Sequence, residues 1–373
     1  MTSEKISGQA IIADGSGGHT LETIIINPPR KDEVLVQIKA SGICHTDYDS
    51  INHWPGPFVA GHEGAGIVLD HGPEVKNLQI GDHVILNWAI PCGKCFQCQI
   101  GQTNICEINS PVIHHAKFNP GHVPLERTQY AGKGILRSFN LGTMSTHTVV
   151  REAAAIRIDP DVPFDSACIV GCGVMTGVGS VWNSAKVTAD SSVVVIGAGG
   201  VGLNIIQGAK IAGAKDIIVL EISRHRLQLA QSFGATHLIE VEKEDKKLTK
   251  AKSEVWKITS RGADFAFECT GIPELGDAPL RMVRNAGVAI QVSGIEQEIN
   301  IDMNLFEWDK TYLNPLYGKC NPSVDFPKII KYYKSGLLKL DELISKKYHP
   351  HQLSEAFEDM LQGRIAKGVI IFD

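Results

Sequence analysis

Residues 193–202 read VVVIGAGGVG, a run of apolar residues that passes directly into a glycine-rich loop. The run predicts a buried strand, and the following LNIIQGAKIAGA has the apolar spacing of a helix. In a GxGxxG loop between strand and helix, Gly197 makes the tight turn, Gly199 lets the backbone approach a pyrophosphate, and Gly202 lets helix and strand pack closely. The predicted dinucleotide site comprises Gly197, Gly199, Gly200, Val201 and Gly202 at a helix N-terminus. The alternative is a glycine-rich turn that binds nothing.

The next strand, IIVLE, ends at Glu221, whose carboxylate is placed to bind both hydroxyls of an adenosine ribose. A carboxylate at this point repels a 2′-phosphate, so the sequence favours NAD over NADP. Arg224 and Arg226 follow closely and could instead pair with such a phosphate, which keeps NADP as the alternative.

The length of the chain predicts two domains, because 373 residues exceed what one hydrophobic core usually serves. From Ser191 to about Ser293, strand-length apolar runs alternate with helical patterns, which indicates a parallel βαβ sheet covered on both faces. The chain before about Glu152 is rich in Gly, Pro and Asn between short β-prone runs, typical of an all-β body with long loops. Two helical segments and the final GVIIFD are expected to return to that first body.

Composition excludes some function classes. The net charge of −5 carries no basic excess, which argues against binding to nucleic acid or to anionic membranes. The opening MTSEKISGQA is polar, and no apolar run is long enough to span a bilayer. We therefore expect a cytoplasmic protein that acts on small molecules.

A compact cysteine cluster follows the first β-prone runs. Two CxxC steps share one cysteine, and a fourth cysteine follows soon after; the set is Cys92, Cys95, Cys98 and Cys106. Four thiolates at this spacing predict a closed structural zinc site, which would fold a Gly/Pro-rich segment that lacks a core of its own. An iron–sulfur cluster and a loop of free thiols are the alternatives. The remaining Cys168, Cys269 and Cys320 are expected to be small apolar residues.

Three further candidate ligands are spread widely along the chain: Cys44 in ASGICHTDYD, His62 in AGHEGAG and Cys172 in VGCGVMTG. Taken singly, each is more typical of a structural residue than of a metal ligand. Together with the cysteine cluster and the Gly197 loop, in this order, these segments resemble the zinc-dependent medium-chain alcohol dehydrogenases, especially the animal liver type. The similarity covers essentially the whole chain.

The resemblance implies an α/β fold with a doubly wound parallel Rossmann sheet and a mainly β, GroES-like catalytic domain. The catalytic domain would span residues 1–173, with a structural zinc lobe at about 91–107; the NAD-binding domain 174–314; and a return to the catalytic domain 315–373. It also implies two zinc ions per chain and a homodimer, with a tetramer as the alternative. The segment from Cys106 to about Leu141 resembles the liver-type loop.

The resemblance also implies that Cys44, His62 and Cys172 hold a catalytic zinc, with Glu63 as an outer or transient ligand. Asp47 resembles the residue that hydrogen-bonds the zinc-bound histidine and fixes its tautomer. The metal lowers the pKa of a bound hydroxyl, so that an alkoxide forms near neutral pH and releases hydride to nicotinamide.

Thr46 matches the hydroxyl residue that passes the substrate proton toward the cofactor ribose. Asp49 stands where the family has a relay histidine, and a carboxylate with an ordinary pKa of about 3.9 exchanges protons poorly near neutrality. We therefore expect the proton to leave through Thr46 and the ribose directly to water, with Asp49 at most an orienting acceptor.

Four other positions match family contacts. His45 and Lys367 match basic residues near the cofactor, with Lys367 on the pyrophosphate, and Arg226 follows the adenosine acid. Trp88, four residues before Cys92, falls where the family has an aromatic wall of the substrate pocket.

The expected function is an NAD-dependent primary alcohol dehydrogenase and aldehyde reductase for apolar or aromatic substrates. One alternative is a thiol-dependent formaldehyde dehydrogenase, but Ser110 stands where the glutathione-dependent relatives carry an arginine. The other is a non-catalytic NAD-binding relative, which should have lost metal ligands that this chain retains.

Overall fold

The computed structural model describes residues 4–110, 112 and 127–372. The chain forms two compact units. Unit 1 comprises Met1–Cys172, Asn321–Ser335 and Leu340–Asp373, and unit 2 comprises Gly173–Cys320 and Gly336–Lys339. Much of the segment that resembles the liver-type loop lies outside the described residues.

The described strands, in chain order, are β1 (Ile6–Ala13), β2 (His19–Ile26), β3 (Glu33–Ile43), β4 (Phe58–Val59), β5 (Glu63–His71), β6 (His83–Leu86), β7 (Thr128–Tyr130), β8 (Lys133–Gly134), β9 (Leu136–Arg137), β10 (His147–Arg151), β11 (Ala155–Ile158), β12 (Ser192–Ile196), β13 (Asp216–Glu221), β14 (His237–Glu240), β15 (Ala263–Glu268), β16 (Val283–Gln291), β17 (Thr311–Leu313), β18 (Ile344–Tyr348) and β19 (Lys367–Ile371). The described α-helices are α1 (His45–His53), α2 (Phe96–Gln99), α3 (Phe164–Cys168), α4 (Gly173–Gly179), α5 (Gly200–Ile211), α6 (Arg224–Phe233), α7 (Thr249–Thr259), α8 (Ala278–Met282), α9 (Pro322–Lys334) and α10 (Leu353–Leu361).

The described residues of unit 1 form two sheets. One has the strand order β8-β7-β2-β1-β4-β9, and the other has the order β11-β6-β5-β3-β19-β18, with β10 also pairing with β3. Strand β3 is buried along nearly its whole length, with only Gln37 and Lys39 half-buried. A strand covered on both faces reads as a continuous apolar run, as EVLVQI does here.

The register beside β3 brings two distant parts of the chain together. Gly42 on β3 faces Glu63 at the start of β5, and Ile43 faces Gly368, the second residue of β19. Glu63 and Lys367 therefore begin strands on either side of the same end of β3. A Cβ on Gly42 would lie 2.0 Å from Glu63 Oε2, so the absence of a side chain there makes room for the carboxylate.

Unit 2 contains one parallel sheet with the strand order β14-β13-β12-β15-β16-β17. Strand β13, the next in the chain, pairs with one side of β12, and β15 pairs with the other side. The strand order therefore reverses at β12. The parallel sheet predicted from the alternating pattern is confirmed. Ser223 caps the N-terminus of α6 by accepting the Arg226 N–H, and the helix ends at Gly234 with φ +123.

Unit 2 extends beyond residue 314, where the sequence boundary was expected. The short turn Leu316–Lys319 stays with unit 2 because it packs on the C-terminal end of α4. There Gly179 and Gly318 approach so closely that a Cβ on Gly179 would lie 2.6 Å from the Gly318 carbonyl oxygen.

No single helix among the described residues is long and apolar enough to cross a membrane. The consecutive segments Phe164–Gly171 and Gly173–Ala185 reach that length and apolarity only when they are taken together. The expected cytoplasmic location stays a prediction.

Candidate functional site

A group of metal-binding side chains converges in unit 1. One ligand atom from each of Cys44, His62, Glu63 and Cys172 lies within 4.8 Å of the others, and we call these four residues the Cys44 cluster. Cys44 follows β3 and caps α1, His62 directly precedes β5, Glu63 begins β5, and Cys172 follows a short turn after α3. The pairing of β3 with β5 brings Cys44 next to His62 and Glu63, and the turn after α3 adds Cys172.

Asp47 ties this cluster to the first turn of α1. Its Oδ1 lies 2.7 Å from His62 Nδ1, and its Oδ2 accepts the Cys44 N–H at 3.0 Å. Asp47 is 1% exposed, so both bonds are shielded from water. Because Nδ1 is engaged by the carboxylate, His62 is left to present its other ring nitrogen, Nε2, to the cluster.

Glu63 and Lys367 form a buried ion pair beside the cluster. Lys367 Nζ donates to Glu63 Oε1 at 2.6 Å, whereas Glu63 Oε2 is buried with no hydrogen-bond partner among the described residues. Burial raises the pKa of Glu63 to about 7, against the attraction of Lys367. Burial also acts to lower the pKa of Lys367, but Glu63 and the nearby thiols outweigh it, and the net shift is upward.

The donor set fits a zinc ion. A buried carboxylate oxygen without a partner is costly, and a divalent cation within reach would remove that cost. The Cys172 thiol hydrogen-bonds Cys44, which lowers the pKa of Cys44 and raises the pKa of Cys172. Two sulfurs and one imidazole match the three-ligand zinc sites that keep a fourth position open. Zinc would therefore be held by Cys44, His62 and Cys172, with the Glu63 carboxylate beside it.

The predicted cysteine lobe, Cys92, Cys95, Cys98 and Cys106, also comes together, with ligand atoms within 4.8 Å of one another. The Sγ atoms of Cys92 and Cys98 are 4.0 Å apart and those of Cys95 and Cys106 are 3.9 Å apart, far beyond the length of about 2.05 Å for a disulfide. Backbone N–H groups of Cys95, Cys98 and Asn109 point at the sulfurs of this lobe. Such donors stabilise thiolates, so four sulfurs facing one point fit a closed zinc site.

We predict that replacing Asp47 by asparagine weakens zinc binding at the Cys44 cluster about 10- to 100-fold, as loss of such an outer carboxylate typically does. Asparagine keeps only one acceptor oxygen, so either His62 or the Cys44 N–H loses its bond. Competition against a chromophoric chelator measures this affinity. Asp49→Asn is the matched control on the exposed side of the same helix. Equal zinc affinity in the Asp47→Asn variant and the wild type would contradict the prediction.

An aromatic cluster reaches His62 through one of its rings, and we define it as Trp54, Phe58, Trp88 and Phe139. The Phe139 ring lies 4.8 Å from the His62 ring, and Trp54 and Trp88 pack against Phe139 at 5.3 and 5.5 Å between ring centroids. Trp54 also contacts Phe58 at 5.8 Å. Of these four residues, the sequence assigned only Trp88 to the pocket, and no local pattern marks Phe139.

Phe139 belongs to a left-handed turn, residues 138–142. Phe139 has φ 52, Asn140 has φ 60 and Gly142 has φ 63, and the N–H groups of Leu141 and Gly142 both donate to the Ser138 carbonyl. A left-handed backbone costs an ordinary residue such as Phe139 about 1–2 kcal/mol, so contacts around the turn must hold it in place. The turn is what brings the Phe139 ring to His62.

The glycine loop of unit 2 has the geometry that its sequence predicts. Gly197 has φ +92, which favours glycine, and a Cβ on Gly202 would lie 2.0 Å from the Gly197 carbonyl oxygen. A Cβ on Gly199, the residue that caps α5, would meet nothing within 4 Å. The loop therefore leaves open space at a helix N-terminus, which fits a pyrophosphate.

Glu221 lies at the end of β13 and is bound to this loop. Its Oε2 accepts the Ala198 N–H at 2.9 Å, and its Oε1 accepts the N–H groups of Ile222 and Ser223. Arg226 Nη1 is 3.9 Å from Glu221 Oε2. The carboxylate thus sits beside the glycine loop, and its bond to a ribose stays a prediction.

The other predicted residues lie on α1 or beside the cluster. His45 and Asp49 are exposed and Thr46 is half-buried on α1. Lys367 donates to Glu63, because β19 begins directly across β3 from β5, and its contact with a pyrophosphate stays a prediction. The sequence did not pair these two residues, since 304 positions separate them.

Comparison with known proteins gives two family matches. The model described as the alcohol dehydrogenase GroES-like domain matches residues 30–160, and the one described as zinc-binding dehydrogenase matches residues 200–332. Alcohol dehydrogenase B of Mycobacterium tuberculosis is 33% identical over 97% of this chain and 97% of its own length. S-(hydroxymethyl)glutathione dehydrogenase of Synechocystis is 33% identical over 93% of this chain and 94% of its own.

Among solved structures, benzyl alcohol dehydrogenase from Acinetobacter calcoaceticus has a similar fold, with a TM-score of 0.89 and 31% sequence identity. The match covers 99% of this chain and 100% of that chain. Both halves of the molecule, and not only its dinucleotide loop, therefore have counterparts of known structure.

Proposed function

The chain belongs to the zinc-dependent alcohol dehydrogenases of the medium-chain dehydrogenase superfamily, and from that premise we propose that it oxidises a primary aromatic alcohol with NAD. The family predicted from the five sequence motifs is confirmed. The chain is an enzyme, and the alternative of a non-catalytic relative is set aside.

The observation that carries the aromatic substrate is the contact of Phe139 with His62. A flat ring beside the metal-binding histidine, backed by Trp54 and Trp88, offers apolar and edge-to-face contacts to another flat ring. The solved relative from Acinetobacter calcoaceticus is itself a benzyl alcohol dehydrogenase.

One metal site and one cofactor would supply the reactive groups. When bound, the zinc held by Cys44, His62 and Cys172 makes a substrate hydroxyl more acidic, and NAD accepts the hydride. We propose a second, structural zinc in the cysteine lobe. Asp47 holds the imidazole of His62 in one tautomer and one orientation. The aromatic cluster contacts the substrate ring and keeps water from the reacting carbon.

Thr46 carries the proton step that we propose. Its Oγ1 accepts the proton of the substrate hydroxyl and passes its own toward the cofactor ribose. The Ser50 hydroxyl, one turn along α1, donates to the Thr46 carbonyl at 2.5 Å. This bond uses the backbone carbonyl of Thr46 and does not involve its side-chain hydroxyl.

We predict that Thr46→Ala lowers kcat about 10²- to 10⁴-fold, the usual contribution of a positioned proton-transfer group. Thr46→Ser keeps the hydroxyl and should restore most of the activity. Asp49→Asn should change kcat by no more than about twofold, because Asp49 lies on the exposed side of α1, away from the Cys44 cluster. Steady-state kinetics with a saturating alcohol measures all three. A loss with Asp49→Asn as large as that with Thr46→Ala would contradict the proton path.

NAD is the proposed cofactor because Glu221 places a buried carboxylate next to the glycine loop. Comparing kcat/KM for NAD and NADP tests this choice. A preference for NAD is expected, and replacing Glu221 by serine should reduce it. A wild-type preference for NADP would overturn the assignment and would make Arg224 and Arg226 the candidate phosphate ligands.

A second function, oxidation of a thiol–formaldehyde adduct, is favoured by the Synechocystis relative, which is named for such a substrate. Purified enzyme is therefore to be assayed with benzyl, allylic, short-chain and secondary alcohols, with and without added thiols. Highest kcat/KM for benzyl alcohol without thiol supports the first function. Activity that appears only with a thiol and formaldehyde would support the second.

A homodimer, with a tetramer as the alternative, stays a proposal. Strand β17 pairs only with β16 in the sheet of unit 2 and leaves one edge available among the described residues. Light scattering of the purified protein measures the assembly.

A further inference from the structure

Arg137 is a buried arginine directly before the left-handed turn. It is 5% exposed, and burial lowers the pKa of its guanidinium to about 10. Its Nη1 donates to Thr148 Oγ1 at 2.9 Å and also to the Val149 carbonyl. Burying a guanidinium is costly unless its N–H groups are hydrogen-bonded. The bonds to Thr148 and to the Val149 carbonyl offset part of that cost.

The contacts of Arg137 lead back to the turn. The Thr148 hydroxyl, which accepts from Arg137, donates to the Leu141 carbonyl inside the turn. Thr148 and Leu141 are both fully buried. The aliphatic part of Arg137 also packs on the turn, since a Cβ on Gly142 would lie 3.0 Å from Arg137 Cβ. The turn is therefore held at Leu141 by the hydrogen bond from Thr148, and at Gly142 by packing on Arg137 and by the Ser145 hydroxyl, which donates to the Gly142 carbonyl at 2.7 Å.

This support matters because the turn is strained. Phe139 and Asn140 keep left-handed backbones only where their surroundings fix them. Phe139 connects the strained turn to the Cys44 cluster, because its ring contacts His62.

We propose that Arg137 is a positioning residue for substrate specificity. It acts through Thr148 on the left-handed turn and thereby holds the Phe139 ring against His62. With the ring fixed, the enzyme favours flat aromatic alcohols over small aliphatic ones. The substrates named in this inference rest on the proposed function. The effect of Arg137 on the position of the Phe139 ring does not.

Three variants test the role. Arg137→Met removes the donors, and Thr148→Val breaks the relay at a nearly equal volume, which covers the case in which Arg137→Met does not fold. Arg127→Met is the matched control, because Arg127 pairs with Glu33 at 3.0 Å and donates to no carbonyl of the turn among the hydrogen bonds of the described residues. Each variant is also made in a Phe139→Ala background.

The first readout is the ratio of kcat/KM for benzyl alcohol to kcat/KM for ethanol, with zinc content measured alongside. Arg137→Met and Thr148→Val are expected to lower this ratio about threefold to tenfold, the effect of misplacing one aromatic contact, while both zinc ions are retained. In the Phe139→Ala background they should cause no further change, since residues that act through one another are not additive. Arg127→Met should leave the ratio unchanged.

The second readout is near-ultraviolet circular dichroism, which reports the packing of Trp54 and Trp88 on Phe139 and needs no activity. It is expected to change in Thr148→Val and to stay constant in Arg127→Met. Equal loss of kcat/KM for both alcohols, effects that add to those of Phe139→Ala, or an unchanged spectrum in Thr148→Val would overturn the inference. If the wild type oxidises neither alcohol, the proposed function fails, and the spectrum alone decides the positioning role.

Discussion

Replacing Cys172 by alanine is expected to lower kcat/KM for alcohol oxidation by about 10³-fold or more. The variant loses one of the two sulfurs of the Cys44 cluster, and a zinc ion that polarises the substrate oxygen supplies several kcal/mol of transition-state stabilisation. Zinc content should fall from about two ions per chain to about one, because the cysteine lobe keeps its four ligands. Atomic emission spectroscopy and steady-state kinetics on the same preparation measure both effects.

The matched control is Cys168→Ala. Cys168 is fully buried four residues before Cys172, and its thiol donates to the Asp165 carbonyl instead of joining a metal cluster. Its replacement should cost about 1 kcal/mol of stability and leave both zinc ions and the activity in place. Full activity in Cys172→Ala, or zinc loss in Cys168→Ala as large as in Cys172→Ala, would contradict the assignment of the catalytic ligands.

Replacing Cys95 by alanine is expected to destabilise unit 1 by several kcal/mol and to remove the other zinc ion. Cys95 is buried, caps α2 and lies in both CxxC steps, so the lobe loses a ligand and a helix cap together. Structural zinc contributes about 10–16 kcal/mol in isolated zinc-finger peptides, which is an upper limit for a lobe attached to a larger sheet. Thermal unfolding with zinc analysis measures the loss.

Cys320→Ala is the control for this second prediction, since Cys320 is buried outside both clusters. It should retain two zinc ions. The lobe variant should retain its catalytic zinc and some activity at low temperature, because the Cys44 cluster is intact. An unfolding midpoint unchanged from the wild type would contradict a structural role for the lobe.

The parts of the site that depend on short stretches of sequence could be predicted from the sequence. The geometry of the glycine loop follows from its own residues. The turn at Gly197 has a positive φ, and there is no room for a Cβ at Gly202, so both positions require glycine. The cysteine lobe is equally local, since its four ligands span 15 residues from Cys92 to Cys106. In both cases spacing and residue type carry the chemistry.

The parts that depend on strand register could not be derived from the residues themselves. Only the family resemblance groups Cys44, His62 and Cys172. In the structure, the pairing of β3 with β5 brings Cys44 to His62, and the turn after α3 adds Cys172. The ion pair of Lys367 with Glu63 follows from the pairing of β19 with β3, which no sequence pattern shows.

The aromatic surroundings of His62 were the least predictable part. Phe139 reaches the histidine through a left-handed turn, and nothing in SFNLG requires Phe139 or Asn140 to adopt that backbone. The turn is imposed by the buried contacts of Arg137 and Thr148.

The most direct measurement is a zinc-edge anomalous difference map from crystals of the purified enzyme. The account predicts two peaks per chain, one surrounded by Cys44, His62 and Cys172 and the other by the four cysteines of the lobe. A single peak in the lobe, with no metal among Cys44, His62 and Cys172 in fully active crystals, would contradict zinc-assisted alcohol oxidation.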